Sequence, residues 1–322
     1  MSTDPATPGR GTSFQDRPAA GLYVAAWVLG GLGLGALIVG AVAQPPLRGI
    51  LIMAAFLALL LGLGAACGYQ ILARRLRPEE RFRGPAPLLL FGFQFVLVNA
   101  VTLVLLTLGV PLTDSTVGFF VATVVLLLGY IAVVWLFGVR SGATTWRDMG
   151  LLPHLGIRRL VGDIGVGAAV MLGVALAAGI LGGLLARFLG VEAPEVVPVP
   201  NTAIEILLIA LGAGVLVPIG EELFFRGYTL TAWWRDLGPR AALWRSTVFF
   251  ALVHIATLSS TTFGEGVRQA ILVLAVIGPV GYALGWLFIR RGLVASIAGH
   301  MAFNLFGVLV LVLAQNLPTP PS

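Results

Sequence analysis

The chain has 322 residues, of which 58% are hydrophobic and 11% charged, with a mean hydropathy of +0.98. Soluble domains carry about 25% charged residues, so the composition excludes an ordinary soluble protein and indicates a polytopic membrane protein. All 20 basic residues are arginine, and the net charge is +6. The arginines lie in short segments between apolar runs, which indicates membrane topology rather than nucleic-acid binding. The single cysteine, Cys67, excludes an intrachain disulfide and a Cys-based zinc site.

Apolar runs long enough to span a bilayer recur along the chain, and continuous runs of this length cross lipid only as α-helices. The predicted fold is therefore all-α, a polytopic transmembrane bundle of about nine helices. The predicted helices are 22–43, 49–73, 87–110, 117–139, 161–186, 202–227, 244–259, 268–289 and 293–315. The seventh is the shortest.

Arginine placement predicts how the chain crosses the membrane. With the N-terminus inside and nine crossings, 16 arginines fall in inner segments and 3 in outer loops, leaving Arg226 aside. We therefore expect an integral protein of a bacterial inner membrane, with a cytoplasmic N-terminus and an external C-terminus. Residues 1–20 are expected to be a disordered cytoplasmic tail, 21–190 membrane helices without an assigned role, 191–316 the functional core, and 317–322 a frayed tail.

Charged residues interrupt the sixth predicted helix at Glu221, Glu222 and Arg226. A charge near the bilayer centre costs about 2.5–3.5 kcal/mol on insertion scales, so such groups are candidates for a functional site. Glu222 and Arg226 have the i,i+4 spacing of an ion pair, which predicts a structural pair. Glu221 points about 100° away and is expected to lack that partner.

Four more residues mark two of the last three predicted helices: Phe250 and His254 lie on the seventh, and His300 and Asn304, four residues apart, lie on the ninth. Counted from the flanking arginines, Glu222 and the two histidines lie roughly 13–20 Å below the cytoplasmic edge. Side chains at equal depth on different helices can converge on one cavity. Pro218, which cannot donate a backbone hydrogen bond, is expected to kink the sixth helix beside it.

These residue types suit hydrolysis of an amide without a Ser or Cys nucleophile. A desolvated Glu221 suits a general base that removes a proton from water, and His254 can hold the same water. His300 and Asn304 can donate hydrogen bonds to a developing oxyanion. Away from this set, Glu205 and Asp163 lie near helix starts and are expected to interact with helix N-termini.

Three motifs, Glu221-Glu222-x-x-x-Arg226, Phe250-x-x-x-His254 and His300-x-x-x-Asn304, resemble in order those of the CPBP family. This family contains the CAAX-type prenyl endopeptidases and the bacteriocin-processing, or Abi, proteins. The resemblance covers roughly residues 200–315. It implies an intramembrane endopeptidase in which Glu221 and His254 activate water, while His300 and Asn304 form the oxyanion site. Glu222, Arg226 and Phe250 would support these residues.

The family has also been described as metalloproteases, but a glutamate-dependent mechanism with no required cofactor agrees better with the motifs. The chain has no HExxH motif, although His254, His300 and Glu221 together offer the three protein ligands usual for catalytic zinc. The expected partners are membrane lipid and a membrane-associated peptide or protein substrate, with no nucleic acid. Recognition of a prenyl group does not follow from the sequence.

Two other functions compete with a protease. A non-enzymatic membrane scaffold or immunity-type protein could share the fold, but it would have no need of Glu221 and both histidines. A proton-coupled transporter could use the same residues as a proton relay. The sequence contains no convincing inverted repeat, which disfavours a transporter.

Overall fold

The structure, a computed structural model, describes residues 18–315 except 76, 113–114, 152–155, 193–196, 257 and 259. Within these ranges every regular element is a helix, as the sequence predicts. The two predicted tails, apart from residues 18–20, lie outside the described residues. The helices are α1 (Ala20–Val42), α2 (Leu47–Arg74), α3 (Pro87–Thr107), α4 (Thr116–Val139), α5 (Ile157–Leu189), α6 (Ala203–Leu237), α7 (Pro239–Ile255), α8 (Phe263–Arg291) and α9 (Leu293–Gln315).

All of these helices except α7 are long and apolar enough to cross a membrane, which makes the chain an integral membrane protein. Helix α7 has 17 residues, or about 25 Å at 1.5 Å per residue, slightly less than the hydrocarbon core. It nevertheless runs antiparallel to α8. Leu243 packs against Gly285, and Phe250, further along α7, packs against Gly281, earlier in α8. Helices α7 and α8 therefore run in opposite directions, as the sequence predicts for these two neighbours.

Helix α6 extends ten residues beyond the predicted end at residue 227 and continues to Leu237. Its polar C-terminal residues contain no helix breaker before Gly238, whose φ of 82° ends the helix. Pro239 then opens α7 at the first helical position, where its missing N–H costs no hydrogen bond. The seventh helix therefore begins and ends earlier than predicted.

Two π-helical segments, Gly212–Leu216 and Leu223–Leu230, interrupt α6 on either side of the two glutamates. At Pro218 the chain remains helical, and each hydrogen-bonded ring of the π segments encloses one residue more than in an α-helix. Such π segments are frequent at functional sites, because they rotate the side chains that follow relative to those before.

Helix α4 packs directly on α6, and α5 packs directly on α8 and α9. Gly220 of α6 lies against Tyr130 of α4, and a Cβ there would come within 2.9 Å of the tyrosine ring. Gly167 of α5 lies so close to the Ala295 carbonyl of α9 that no side chain fits between them. Small residues at such crossings let helices approach closely in lipid. The N-terminal helices therefore form part of the wall around the predicted core.

The segment after α2 is attached to the end of α6. The Asp236 carboxylate accepts a hydrogen bond from the Phe82 backbone N–H (3.1 Å) and lies 3.4 Å from Arg77. The Tyr228 hydroxyl donates to the Pro85 carbonyl (2.9 Å). These contacts hold the α2–α3 connection against the helix that carries the glutamates.

The two acids expected to interact with helix N-termini, Glu205 and Asp163, lie in different surroundings. Glu205 forms a reciprocal capping box with Thr202 at the start of α6, as predicted. For Asp163 the prediction is wrong. This residue lies nearly two turns into α5, is 1% exposed, and its carboxylate lies 3.4 Å from Arg291 and 3.9 Å from Arg159. Asp163 therefore links α5 to the end of α8.

We predict that Gly167→Ala lowers the thermal stability of the purified protein. The added methyl group would meet the Ala295 carbonyl, and overpacking of this kind costs about 1–3 kcal/mol. The matched control is Gly165→Ala on the same helix, where the methyl group would meet no atom within 4 Å. Since alanine favours helix over glycine, the control should keep or raise the melting temperature. Equal melting temperatures for the two variants would contradict the close α5–α9 contact.

Candidate active site

The centre of the predicted site is the Glu222 carboxylate, which is fully buried. Its Oε1 accepts hydrogen bonds from Arg226 (2.7 Å) and from Nδ1 of His300 (2.9 Å). Its Oε2 accepts a hydrogen bond from the Ser296 hydroxyl. The predicted Glu222–Arg226 pair is present, and it also orients His300. One carboxylate thereby joins α6 to α9.

Arg226 is also fully buried and extends the connection to α7 and α8. A second guanidinium nitrogen donates to the Gly281 carbonyl of α8 (3.0 Å). The guanidinium carbon lies 4.3 Å from the centre of the Phe250 ring on α7, which is cation–π geometry. Gly281 has no side chain to keep Phe250 away, so both can approach the arginine. Four helices thus meet around a single ion pair.

Glu221 was expected to lack Arg226 as a partner; among the described residues Arg226 pairs with Glu222, and Glu221 lies beside His300. Its Oε2 lies 3.9 Å from Nε2 of His300, whose other nitrogen contacts Glu222. One imidazole therefore lies between two carboxylates from consecutive residues. The Glu221 side chain is 12% exposed, whereas that of Glu222 is 0% exposed. The sequence could not show this, because the contact depends on how α9 crosses α6.

His254 reaches the same group of residues through Phe250. Its Nδ1 donates to the Phe250 carbonyl (2.8 Å), because a carbonyl can only accept. In the neutral imidazole Nε2 is then a hydrogen-bond acceptor. The Phe250 ring centre lies 4.5 Å from that of His254 and 6.0 Å from that of His300. The structure thus places both histidines around one phenylalanine.

Asn304 lies one turn beyond His300 and donates from its side-chain nitrogen to the Ala213 carbonyl (2.8 Å). The π-helical segment explains why that carbonyl is available. The Val217 N–H bonds to Gly212, five residues earlier. With the same five-residue spacing, the Ala213 carbonyl would accept from the backbone N–H of residue 218, but this residue is a proline and has no N–H. Proline thereby leaves an acceptor that positions the asparagine.

Ser296 is a site residue that the sequence reasoning missed. It is fully buried, and its hydroxyl contacts both the Glu222 carboxylate and the Leu284 carbonyl (3.0 Å). A signal was available, since Ser296, His300 and Asn304 recur every four residues and so share one face of α9. Serine is common in membrane helices as a packing residue, and this hid its role.

An apolar cavity of about 350 Å³ lies against α6 near the glutamates in sequence, and no site carboxylate or histidine is among its lining residues. It is lined by Ile219 and Leu223 of α6 and by residues of α4, α9 and the α4–α5 connection. These others are Ile131, Trp146, Leu151, Leu293 and Ile297. The cavity can therefore hold an apolar group.

The zinc alternative can be tested against the side chains. Among the described residues, no three His, Cys, Asp or Glu side chains converge closely enough to ligate one metal ion. His300 already uses Nδ1 to contact Glu222, and its Nε2 lies 3.9 Å from Glu221. In this arrangement the three side chains do not form a zinc site.

The fold and site together define a helical membrane protein with paired carboxylates and imidazoles inside its bundle. Residues 203–306 match the family model described as "Rce1-like: Type II CAAX prenyl endopeptidase Rce1-like". This confirms the resemblance inferred from the three motifs, and the matched segment runs from the start of α6 into α9. No curated protein matches the chain. No solved structure matches it either.

We predict that Arg226→Met strongly reduces the amount of folded protein. The substitution leaves Glu222 buried without its charge partner, and breaking a buried pair in this way costs about 3–5 kcal/mol. Arg159→Ala is the control, since it removes an arginine with the same i,i+4 spacing to an acid at a position where the side chain is 66% exposed. That loss should be much smaller, because Arg291 remains 3.4 Å from the same carboxylate. Thermal unfolding in detergent measures both, and equal stabilities would refute a structural role for the buried pair.

Proposed function

We propose that this protein is an intramembrane endopeptidase that hydrolyses a peptide bond of a membrane-associated peptide or protein. The observation that carries the proposal is the contrast in burial within one contiguous site. Glu222 and Arg226 are fully buried, whereas Glu221, His254 and Asn304 are partly exposed. A purely structural network would gain nothing from keeping these three accessible. The match of residues 203–306 to a peptidase family supports the same conclusion.

In the proposed reaction, Glu221 removes a proton from a water molecule, and the resulting hydroxide attacks the scissile carbonyl. His254 orients this water. The Nδ1–H of His254 donates to the Phe250 carbonyl, which fixes the orientation of the imidazole ring. When the C–N bond breaks, the proton held by Glu221 passes to the leaving amine. The carboxylate is then regenerated.

The negative charge on the former carbonyl oxygen needs hydrogen-bond donors. Asn304 uses one side-chain N–H for Ala213 and retains the second for the oxyanion. His300 donates Nδ1–H to Glu222, so its Nε2 can donate only when both ring nitrogens carry protons. Glu222 and Arg226 act as positioning residues, since they fix His300.

The surroundings of the site suit an apolar substrate that arrives through the membrane. The cavity of about 350 Å³ beside Ile219 and Leu223 is lined by apolar side chains. An apolar side chain or hydrocarbon group of the substrate would fit there. With the orientation inferred from the arginines, this cleavage would take place on the cytoplasmic side of a bacterial inner membrane.

We predict that Glu221→Gln and His254→Ala abolish cleavage while the protein still inserts and folds, because each removes a group that handles the attacking water. Glu205→Gln is the control on the same helix, where glutamine can still complete the capping box. The measurement compares the membrane peptidomes of cells that produce wild type, Glu221→Gln or Glu205→Gln. Peptides present with wild type and the control but missing with Glu221→Gln identify the substrate. Identical peptidomes would overturn the enzymatic proposal and favour a scaffold.

We also predict that activity survives removal of divalent metal. Dialysis of the purified protein against a strong chelator should change the cleavage rate of an identified substrate by less than about twofold, since the proposed water activation uses Glu221 and His254 alone. A zinc peptidase treated in parallel should lose its activity. Loss of cleavage that added zinc restores would contradict the metal-free mechanism.

A further inference from the structure

A second cavity, of about 510 Å³, opens at the helix ends away from the proposed catalytic residues. Five arginines line it, from four separate parts of the chain. They are Arg147 of the α4–α5 connection, Arg159 at the start of α5, Arg235 near the end of α6, and Arg290 and Arg291 at the end of α8. Positive residues that only set topology need not converge on one cavity. We call this feature the arginine pocket.

The charge of the arginine pocket is only partly balanced. Asp148 lies 3.2 Å from Arg235, and Asp163, behind the pocket, lies 3.4 Å from Arg291 and 3.9 Å from Arg159. In the described part of the chain, no carboxylate lies within ion-pair distance of Arg147 or Arg290. Five cations against two acids leave an excess of positive charge in a concave site. An anion is the complementary ligand.

The rest of the lining indicates what kind of anion fits. Apolar side chains stand among the arginines, namely Trp234, Phe288, Ile289 and Val294, and Gly150 and Gly292 leave room at the wall. Trp234 is 39% exposed. Tryptophan beside arginine at the end of a membrane helix is typical of the level of lipid headgroups. The pocket thus offers guanidinium groups for a phosphate and apolar surface for the glycerol and first acyl carbons.

We propose that the arginine pocket binds the headgroup of an anionic phospholipid. Guanidinium groups bind phosphate oxygens with two parallel hydrogen bonds, which gives Arg147 and Arg290 a ligand that the protein itself does not supply. The pocket lies close in sequence to the proposed active site. Val294 is two residues from Ser296, and Thr231, also in the lining, is five residues from Arg226. A bound lipid would therefore hold the ends of the helices that carry those residues.

The test compares lipid binding by the full-length protein in an uncharged detergent. Native mass spectrometry would count bound phosphatidylglycerol and phosphatidylcholine of identical chain length, and thermal unfolding would give the stabilisation. Wild type should prefer phosphatidylglycerol. The variant Arg147→Gln/Arg290→Gln should bind it about 30-fold more weakly, at roughly fivefold per arginine. Its control, Arg187→Gln/Arg268→Gln, removes equal charge from exposed positions at the opposite ends of α5 and α8 and should bind like wild type.

Further arms separate the possible ligands. Inorganic phosphate at millimolar concentration should neither stabilise the protein to the same degree nor displace the lipid; if it does both, the pocket is a phosphate site and the lipid proposal fails. The lipid proposal would also be overturned if wild type bound both lipids equally, or if both double variants lost the same amount of phosphatidylglycerol binding.

If Arg147→Gln/Arg290→Gln weakens only the binding of a cleaved peptide that ends in a free carboxylate, the pocket binds the substrate and the lipid proposal fails. Because lipid binding is measured without catalysis, a failed protease proposal would leave this result unaffected.

Discussion

The structure depends on how two opposite charges, Glu222 and Arg226, are kept together inside an apolar bundle. Neither side chain contacts solvent, so each would be strongly destabilising alone. Their remaining hydrogen-bonding groups are largely satisfied by other helices, through His300 and Ser296 of α9 and the Gly281 carbonyl of α8. The pair therefore fixes the relative positions of three helices. Because Glu221 is the preceding residue, its position beside His300 follows from the same contacts.

The backbone of α6 has an equally direct part in the site. Glu221 and Glu222 lie between two π-helical segments, and the first of these leaves the Ala213 carbonyl without a backbone donor, since the residue in register is a proline. Asn304 uses that carbonyl. Irregular backbone at membrane depth is tolerated where protein groups satisfy it, and here the group that does so is itself a proposed catalytic residue.

Two N-terminal helices, α4 and α5, for which the sequence suggested no role, form walls of the site. Tyr130 of α4 packs on Gly220, immediately before the two glutamates, and α5 is held against α8 and α9 by Asp163 and by the contact at Gly167. The arginine pocket lies at the start of α5 and at the ends of α6 and α8. A lipid bound there and the ion pair within the bundle would both act on α6, α8 and α9, at two depths. A phospholipid of the surrounding membrane would thereby help to hold the proposed catalytic site in place.

The sequence by itself determined the all-helical membrane fold, the approximate bounds of the helices, and the residues of the three motifs. These follow from local properties: long apolar runs must be helical in lipid, and charges within them need partners. The sequence also predicted the Glu222–Arg226 pair, because i,i+4 spacing places both side chains on one face. Only the tertiary structure decided that His300 lies between both glutamates, that Ser296 completes the contacts of Glu222, and that Asp163 faces Arg291 instead of a helix N-terminus. Each of these depends on the angle and register at which separate helices cross, and that geometry is set by side-chain packing, which the local pattern does not encode.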